Sequence, residues 1–193
     1  MAEYSALVLA GGKGSRLHYC DKALLKYDEK MNFLEKILFE LEEMDEIIVS
    51  RNKPLDKVYS NIKIVKDEYR DIGPIAGIYS GLLNCKNEYL FIITCDTPNI
   101  NKKFIKKILE AVDTEYDAIL VKDNSGHLNS LCGVYKKSLL PLFKESIERE
   151  RYKVLGIRDK IKIKILEFEE DEFNIEFILK NVNTEEDLKN LHI

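Results

Sequence analysis

An unbroken apolar run from Ala6 to Ala10 passes directly into glycines at 11, 12 and 14, and this junction constrains the fold more than any other stretch of the chain. The run reads as a short buried strand. Glycine has no Cβ, so the backbone after the strand can turn tightly and let a ligand reach its N–H groups. Consecutive N–H donors of this kind make an anion-binding concavity. Lys13, Arg16 and Lys22 lie in and just beyond the loop, and such cations suit a polyphosphate. The first expectation is a nucleoside-triphosphate site at the end of the first strand.

Strand-like and helix-like stretches alternate through the rest of the chain. After an extended segment over Ala23–Tyr27, Leu34, Ile37, Leu38, Leu41 and Met44 recur at helical spacing. Strands are expected at Ile47–Val49 and Ile62–Val65, with a short helix over Leu55–Tyr59 between them. Pro74 suits the first turn of a helix, where a missing N–H costs nothing. Small residues at 76, 77, 80 and 81 suggest that this helix packs closely on a sheet or on a bound base. Tyr89–Thr94 is apolar almost throughout, as a central parallel strand should be. Beyond a helix carrying Phe104, Ile105 and Ile108, strands are expected at Ala118–Val121, Leu131–Tyr135, Ile161–Phe168 and Phe177–Val182. Ser138 is expected to cap a helix from Leu139 to Glu150, and Thr184 to Asp187 reads as a capping box opening a last helix. The alternation argues for a three-layer α/β domain with a mostly parallel sheet, one domain over residues 1–193.

Composition removes several classes of function. With 193 residues, 45% hydrophobic and 33% charged, the chain has the profile of a globular protein able to bury a sizeable core. A net charge of −4 and the lack of a basic aromatic stripe argue against nucleic-acid binding. There is no apolar run of membrane-spanning length and no basic-then-apolar leader, so a cytoplasmic location and no membrane role are expected. Cys20, Cys85, Cys95 and Cys132 are widely spaced, which gives neither a zinc pattern nor a disulfide framework. The last three lie in apolar surroundings and read as small core residues.

In open α/β sheets, ligands gather beyond the carboxyl ends of the strands. Four groups fall at such ends: the glycine loop, Ser50-Arg51-Asn52, Asp67 and Asp96. Mg²⁺ takes few protein carboxylates and completes its shell with water and phosphate oxygens, so Asp96 is the candidate metal ligand. Arg16 and Lys22 are candidates for holding phosphates while charge builds in attack on an α-phosphorus. No Ser-His-Asp grouping is evident, and His18, His127 and His192 are scattered. The loop is not a P-loop, because no Gly-Lys-Ser/Thr follows at the required distance. Nor is it a dinucleotide fingerprint, because Leu17 stands where the third glycine belongs.

The segments Leu9-Ala-Gly-Gly-Lys-Gly-Ser-Arg16, Asp21-Lys22, Asp67, Gly73-Pro-Ile-Ala-Gly77, Cys95-Asp-Thr-Pro98 and Asn181-Val-Asn-Thr184 together resemble the molybdenum cofactor guanylyltransferases, the MobA family. The resemblance spans nearly the whole chain. It implies a Rossmann-like α/β/α nucleotidyltransferase fold, with Mg²⁺-dependent transfer of GMP from GTP to the terminal phosphate of Mo-molybdopterin and release of pyrophosphate. Leu9, Ala10, Gly11, Gly12, Lys13 and Gly14 would then line the nucleotide site and Lys22 would contact phosphate. Ser50 or Asn52, together with Asp67, would read guanine and ribose. Asp96 would hold the metal, and Gly77, Asn181 and Asn183 would face the acceptor. Proteins that handle molybdopterin are the implied partners. The chain departs from the family at His18-Tyr19, where relatives carry small residues, and at Asn129-Ser130-Leu131, where they carry His/Gln-Pro-Leu. Rival readings are a molybdopterin cytidylyltransferase, a sugar-phosphate nucleotidyltransferase and a non-catalytic nucleotide-binding adaptor.

Overall fold

The computed structural model describes residues 3–11, 21–55, 57, 59, 61–189 and 191. Its strands are β1 (Tyr4–Leu9), β2 (Glu46–Ser50), β3 (Ile62–Val65), β4 (Tyr89–Thr94), β5 (Ala118–Lys122), β6 (Leu128–Lys136) and β7 (Ile163–Leu166). They form one sheet in the order β3-β2-β1-β4-β6-β5-β7. All neighbouring pairs are parallel except those made by β6, which runs antiparallel to both β4 and β5. The helices are α1 (Phe33–Glu40), α2 (Pro74–Asn84), α3 (Lys102–Glu110), α4 (Leu140–Glu148), α5 (Ile175–Ile178) and α6 (Glu185–Lys189).

Side chains alternate between the two faces of a strand, and here both faces are covered. Ala6 and Val8 of β1 join a cluster with Leu34 and Ile37 of α1 and Phe104 and Ile108 of α3. Leu7 and Leu9 join the opposite cluster, with Ile75, Ile78 and Leu82 of α2 and Phe143 of α4. The outcome is the expected three-layer arrangement. The small residues of α2 serve the sheet: a Cβ on Gly77 would stand 2.6 Å from Leu9 Cδ2, and one on Gly81 would stand 2.5 Å from Leu7 Cδ2.

Local chemistry accounts for where the elements begin. Asn32 and Glu35 form a reciprocal capping box at α1. Pro74 does open α2, after Gly73 at φ 82°. Asp187 Oδ2 accepts from the N–H groups of Asn183 and Thr184, while Thr184 Oγ1 accepts from Asp187 N–H, the box expected before α6.

Four local expectations fail. The expected strand over Phe177–Val182 is instead the short helix α5 and a loop, because the Asn174 side chain caps Phe177 N–H and turns Ile175 and Ile178 together into the core. Ala23–Tyr27 is not simply extended: Lys22–Leu24 form a 3-10 turn that buries Ala23. Leu55, Lys57 and Tyr59 are not helical. Ser138 caps nothing; it lies inside a 3-10 turn over Lys137–Leu139 that leads into α4, whose first turn contains Pro141.

A third, smaller cluster decides the site. Phe33 packs with Val182 and Leu191, and Leu25, Tyr27 and Leu188 lie against them. This contact holds the segment after the glycine loop against the far end of the chain.

Candidate active site

The parallel strands β1, β2, β3 and β4 end at one edge of the sheet, and hydrogen bonds carry their order a little further. Ala10 N–H donates to the Ser50 carbonyl at 2.9 Å, and Cys95 N–H donates to the Leu9 carbonyl at 3.0 Å. Ala10, Arg51 and Asp96 are thereby set along the same edge, with Gly11 exposed at its rim.

At one end lies a carboxylate held by two neighbours. The Ser50 hydroxyl donates to Asp67 Oδ1 at 2.5 Å, and the Asn52 amide donates to Asp67 Oδ2 at 3.0 Å. Asn52 Oδ1 in turn accepts from Asp67 N–H at 3.1 Å. Gly11 faces this group: a Cβ there would come within 3.9 Å of Asp67 Oδ2. Ser50 and Asn52 therefore both hold Asp67. Gly77 belongs to the same end, since a Cβ on it would stand 2.8 Å from Ser50 Oγ. Its placement packs it against Leu9 and beneath Ser50.

At the other end lies a cation. Lys22 Nζ is 3.1 Å from Asp96 Oδ2 and donates to Asn183 Oδ1 at 2.5 Å. Lys22 and Asp96 keep 17% and 22% of their side-chain exposure, so the pair is partly open to a ligand. Val182 N–H donates to the Asp96 carbonyl at 2.8 Å, which pins the C-terminal segment to the end of β4. Thr97 Oγ1 donates to Asn181 Oδ1 at 3.0 Å, and Thr94 Oγ1 lies 2.8 Å from Thr97 Oγ1. Asn181 is thus engaged on the protein side, and Asn183 alone of the two touches Lys22 directly.

Asp96 Oδ1 is buried and has no hydrogen-bond partner among the described residues. A buried carboxylate oxygen without a donor is costly unless a cation supplies the missing interaction. The arrangement fits a hard divalent ion that takes one protein carboxylate and otherwise water and phosphate oxygens. Among the described residues no group of three or more His, Cys, Asp or Glu could hold a metal, so a closed all-protein cage is not the design seen there.

A further pair was not singled out by sequence reasoning. Arg51, only 2% exposed, donates to both oxygens of Asp21, at 3.0 and 2.5 Å, and to the carbonyls of Lys53 and Pro54. The Arg51 guanidinium holds the Asp21 carboxyl below the usual carboxylate range, against a smaller opposing effect of burial. The adjacency of Asp21 to Lys22 and of Arg51 to Ser50 and Asn52 was the available signal, but no local rule pairs the two. The cysteines behave as expected: burial pushes the Cys95 and Cys132 thiols up to about 12, which makes them poor nucleophiles. Gly12, Lys13, Gly14, Arg16, His18, Tyr19 and Cys20 lie outside the described residues.

The sheet order and the polar side chains gathered at its carboxyl edge are those of an α/β domain of the nucleotidyltransferase type. The chain belongs to the MobA-like NTP transferase domain family, which residues 6–161 match. A protein of Clostridium perfringens strain SM101 named probable molybdenum cofactor guanylyltransferase is 36% identical over 86% of this chain and 83% of its own length. One of the same name from Flavobacterium johnsoniae is 30% identical over 100% of this chain and 98% of its own. Among solved structures, molybdopterin-guanine dinucleotide biosynthesis protein A of Archaeoglobus fulgidus superposes with a TM-score of 0.80 over 97% of this chain and 96% of that one, at 20% identity. The last likeness concerns the fold alone.

Proposed function

We propose that the protein transfers GMP from GTP to the terminal phosphate of Mo-molybdopterin and releases pyrophosphate. One observation carries the reading: Lys22, Asp96 and Asn183 meet at one end of the carboxyl edge of the sheet, and at its other end stands an Asp67 carboxylate already oriented by Ser50 and Asn52. The relatives' names support the substrate pair.

Asp67 retains acceptor capacity on both oxygens and can take the N1–H and 2-amino protons of guanine, a donor pair that cytosine lacks. Leu9, Ala10 and Gly11 line the approach to it; Gly12, Lys13, Gly14 and Arg16 complete the phosphate loop in this reading. Lys22 holds a phosphate oxygen and counters charge that grows on the transferring and leaving oxygens. Asp96 is the residue that would hold Mg²⁺, and the ion would supply Lewis-acid stabilisation of the same charge. The acceptor phosphate oxygen forms the new bond to the α-phosphorus as the bond to pyrophosphate breaks, so no protein nucleophile is required. Asn183 and Asn181 lie on the acceptor side of Lys22. A cytoplasmic location suits these substrates, and among the described residues no helix is long and apolar enough to cross a membrane.

The test is direct. The intact chain is incubated with Mo-molybdopterin, Mg²⁺ and either GTP or CTP, and pyrophosphate and the dinucleotide product are measured. Pyrophosphate formed with GTP and little with CTP is the expected result. A preference for CTP would replace the substrate, and release with neither would return the chain to a sugar-phosphate acceptor or to an adaptor role.

A further inference from the structure

A partly buried ion pair between Arg51 and Asp21 joins the two ends of the site. Arg51 stands between Ser50 and Asn52, the two residues that hold Asp67, while Asp21 immediately precedes Lys22. Asp21 also opens the 3-10 turn over Lys22–Leu24, with its carbonyl accepting from Leu24 N–H at 3.0 Å. Fixing the Asp21 carboxylate therefore fixes the start of the turn from which the Lys22 side chain departs. We infer that Arg51 is a positioning residue: by gripping Asp21 from the end of β2, it aims the Lys22 ammonium at Asp96 and the transferred phosphate.

Three features favour this over a merely structural pair. The grip is bidentate, so it sets direction as well as distance, which a lysine at the same place could not do. The guanidinium has its remaining bonds on the carbonyls of Lys53 and Pro54, so it is anchored to β2 and its following loop independently of Asp21. Asp21 is itself 21% exposed and could be solvated without Arg51, so its burial does not compel the pair. The lowered pKa of Asp21 is consistent with a carboxylate that is charged whenever the enzyme works.

The inference rests on Lys22 as the phosphate-holding cation, and its test is built to fail separately from that reading. Turnover with GTP and Mo-molybdopterin is measured for the full chain and for Arg51→Gln, Lys22→Ala and the double variant. Arg51→Gln is expected to lower kcat about 10- to 100-fold with a much smaller change in KM for GTP, as for a group displaced by an ångström or so. In the Lys22→Ala background the same substitution should add less than about threefold, because it acts through the lysine that is gone. Arg51→Lys keeps the charge and lacks the fork; it should recover thermal stability but not kcat. Independently of any substrate, lysines are ¹³C-methylated and the Lys22 resonance is assigned by its loss in Lys22→Ala. That resonance should move in Arg51→Lys and in Asp21→Asn alike. Multiplicative losses in the double variant, or a Lys22 resonance unmoved by both substitutions, would overturn the inference. A wild-type chain that releases no pyrophosphate would sink the substrate reading instead, and the resonance would still decide the role of Arg51.

Discussion

The Asp67 end and the Asp96 end of the site solve the same problem, a carboxylate at the mouth of a sheet, in opposite ways. Asp67 is satisfied before any ligand arrives: Ser50 and Asn52 donate to its two oxygens, and its own N–H is taken by Asn52. Asp96 has one oxygen on Lys22 and the other buried with no partner among the described residues. The first arrangement presents fixed acceptors to a neutral base, and fixed geometry is what selectivity between similar bases requires. The second leaves a charge unbalanced until a cation and a phosphate arrive, which is what a site that stabilises a transition state requires. In the proposed reading, recognition is preorganised at one end and chemistry is prepared at the other.

The comparison can be broken most severely at Asp96. Asp96→Ala should lower kcat about 10³-fold or more while GTP binding without metal changes little, since it removes the group that places the ion. The melting temperature should change little, because losing a buried oxygen that has no partner among the described residues offsets losing the Lys22 ion pair. Near-normal turnover would show that the metal is held elsewhere. Asp67→Ala should act at the other end and on a different quantity. It should weaken GTP about 10- to 100-fold by calorimetry, the loss of charge-assisted hydrogen bonds worth about 1.5–3 kcal/mol, and leave CTP binding little altered. Equal losses for both nucleotides would make Asp67 a general support and not a guanine reader.

Smaller perturbations sharpen the contrast. Gly77→Ala sets a Cβ against Leu9 and Ser50 Oγ, both closer than a methyl tolerates. About 1–3 kcal/mol of stability should be lost in a denaturant titration. GTP affinity should fall with it as Ser50 is displaced from Asp67, while the Lys22 end is untouched. The smallest effect concerns acid. Asp21 ionises more readily folded than unfolded, so its contribution to stability is complete above the unfolded value of about 3.9 and is lost as pH falls through the lower folded value. Asp21→Asn should therefore flatten the decline of melting temperature below about pH 4 relative to the wild type. An unchanged acid profile would mean that Arg51 does not favour the ionised carboxylate.

Much of this protein was legible in its residues, for reasons that can be named. The apolar runs at Ala6–Ala10 and Tyr89–Thr94 announce strands buried on both faces, and those strands are adjacent in the sheet centre. Pro74 and the small residues behind it announce a helix that starts there and lies close. Asp67, Asp96, Ser50, Asn52 and Lys22 follow strand ends or a glycine turn, and the strand-end rule alone collects most of them. Phe177–Val182 misled because a run of apolar residues does not distinguish strand from buried helix; a single Asn174 cap settled it.

What the sequence by itself determined is the periodic, short-range part: which segments bury which faces, where chains turn, and which residues stand at strand ends. Those are consequences of side-chain shape and backbone freedom within a few residues. The tertiary structure alone decided which distant groups face one another. Lys22 reaches Asn183 because Phe33 packs on Val182 and Leu191, and Arg51 finds Asp21 because β1 and β2 are neighbours. The same assembly turned β6 antiparallel among parallel strands. An ion pair or a strand partner is chosen by the packing of the whole chain, and no local periodicity encodes that choice.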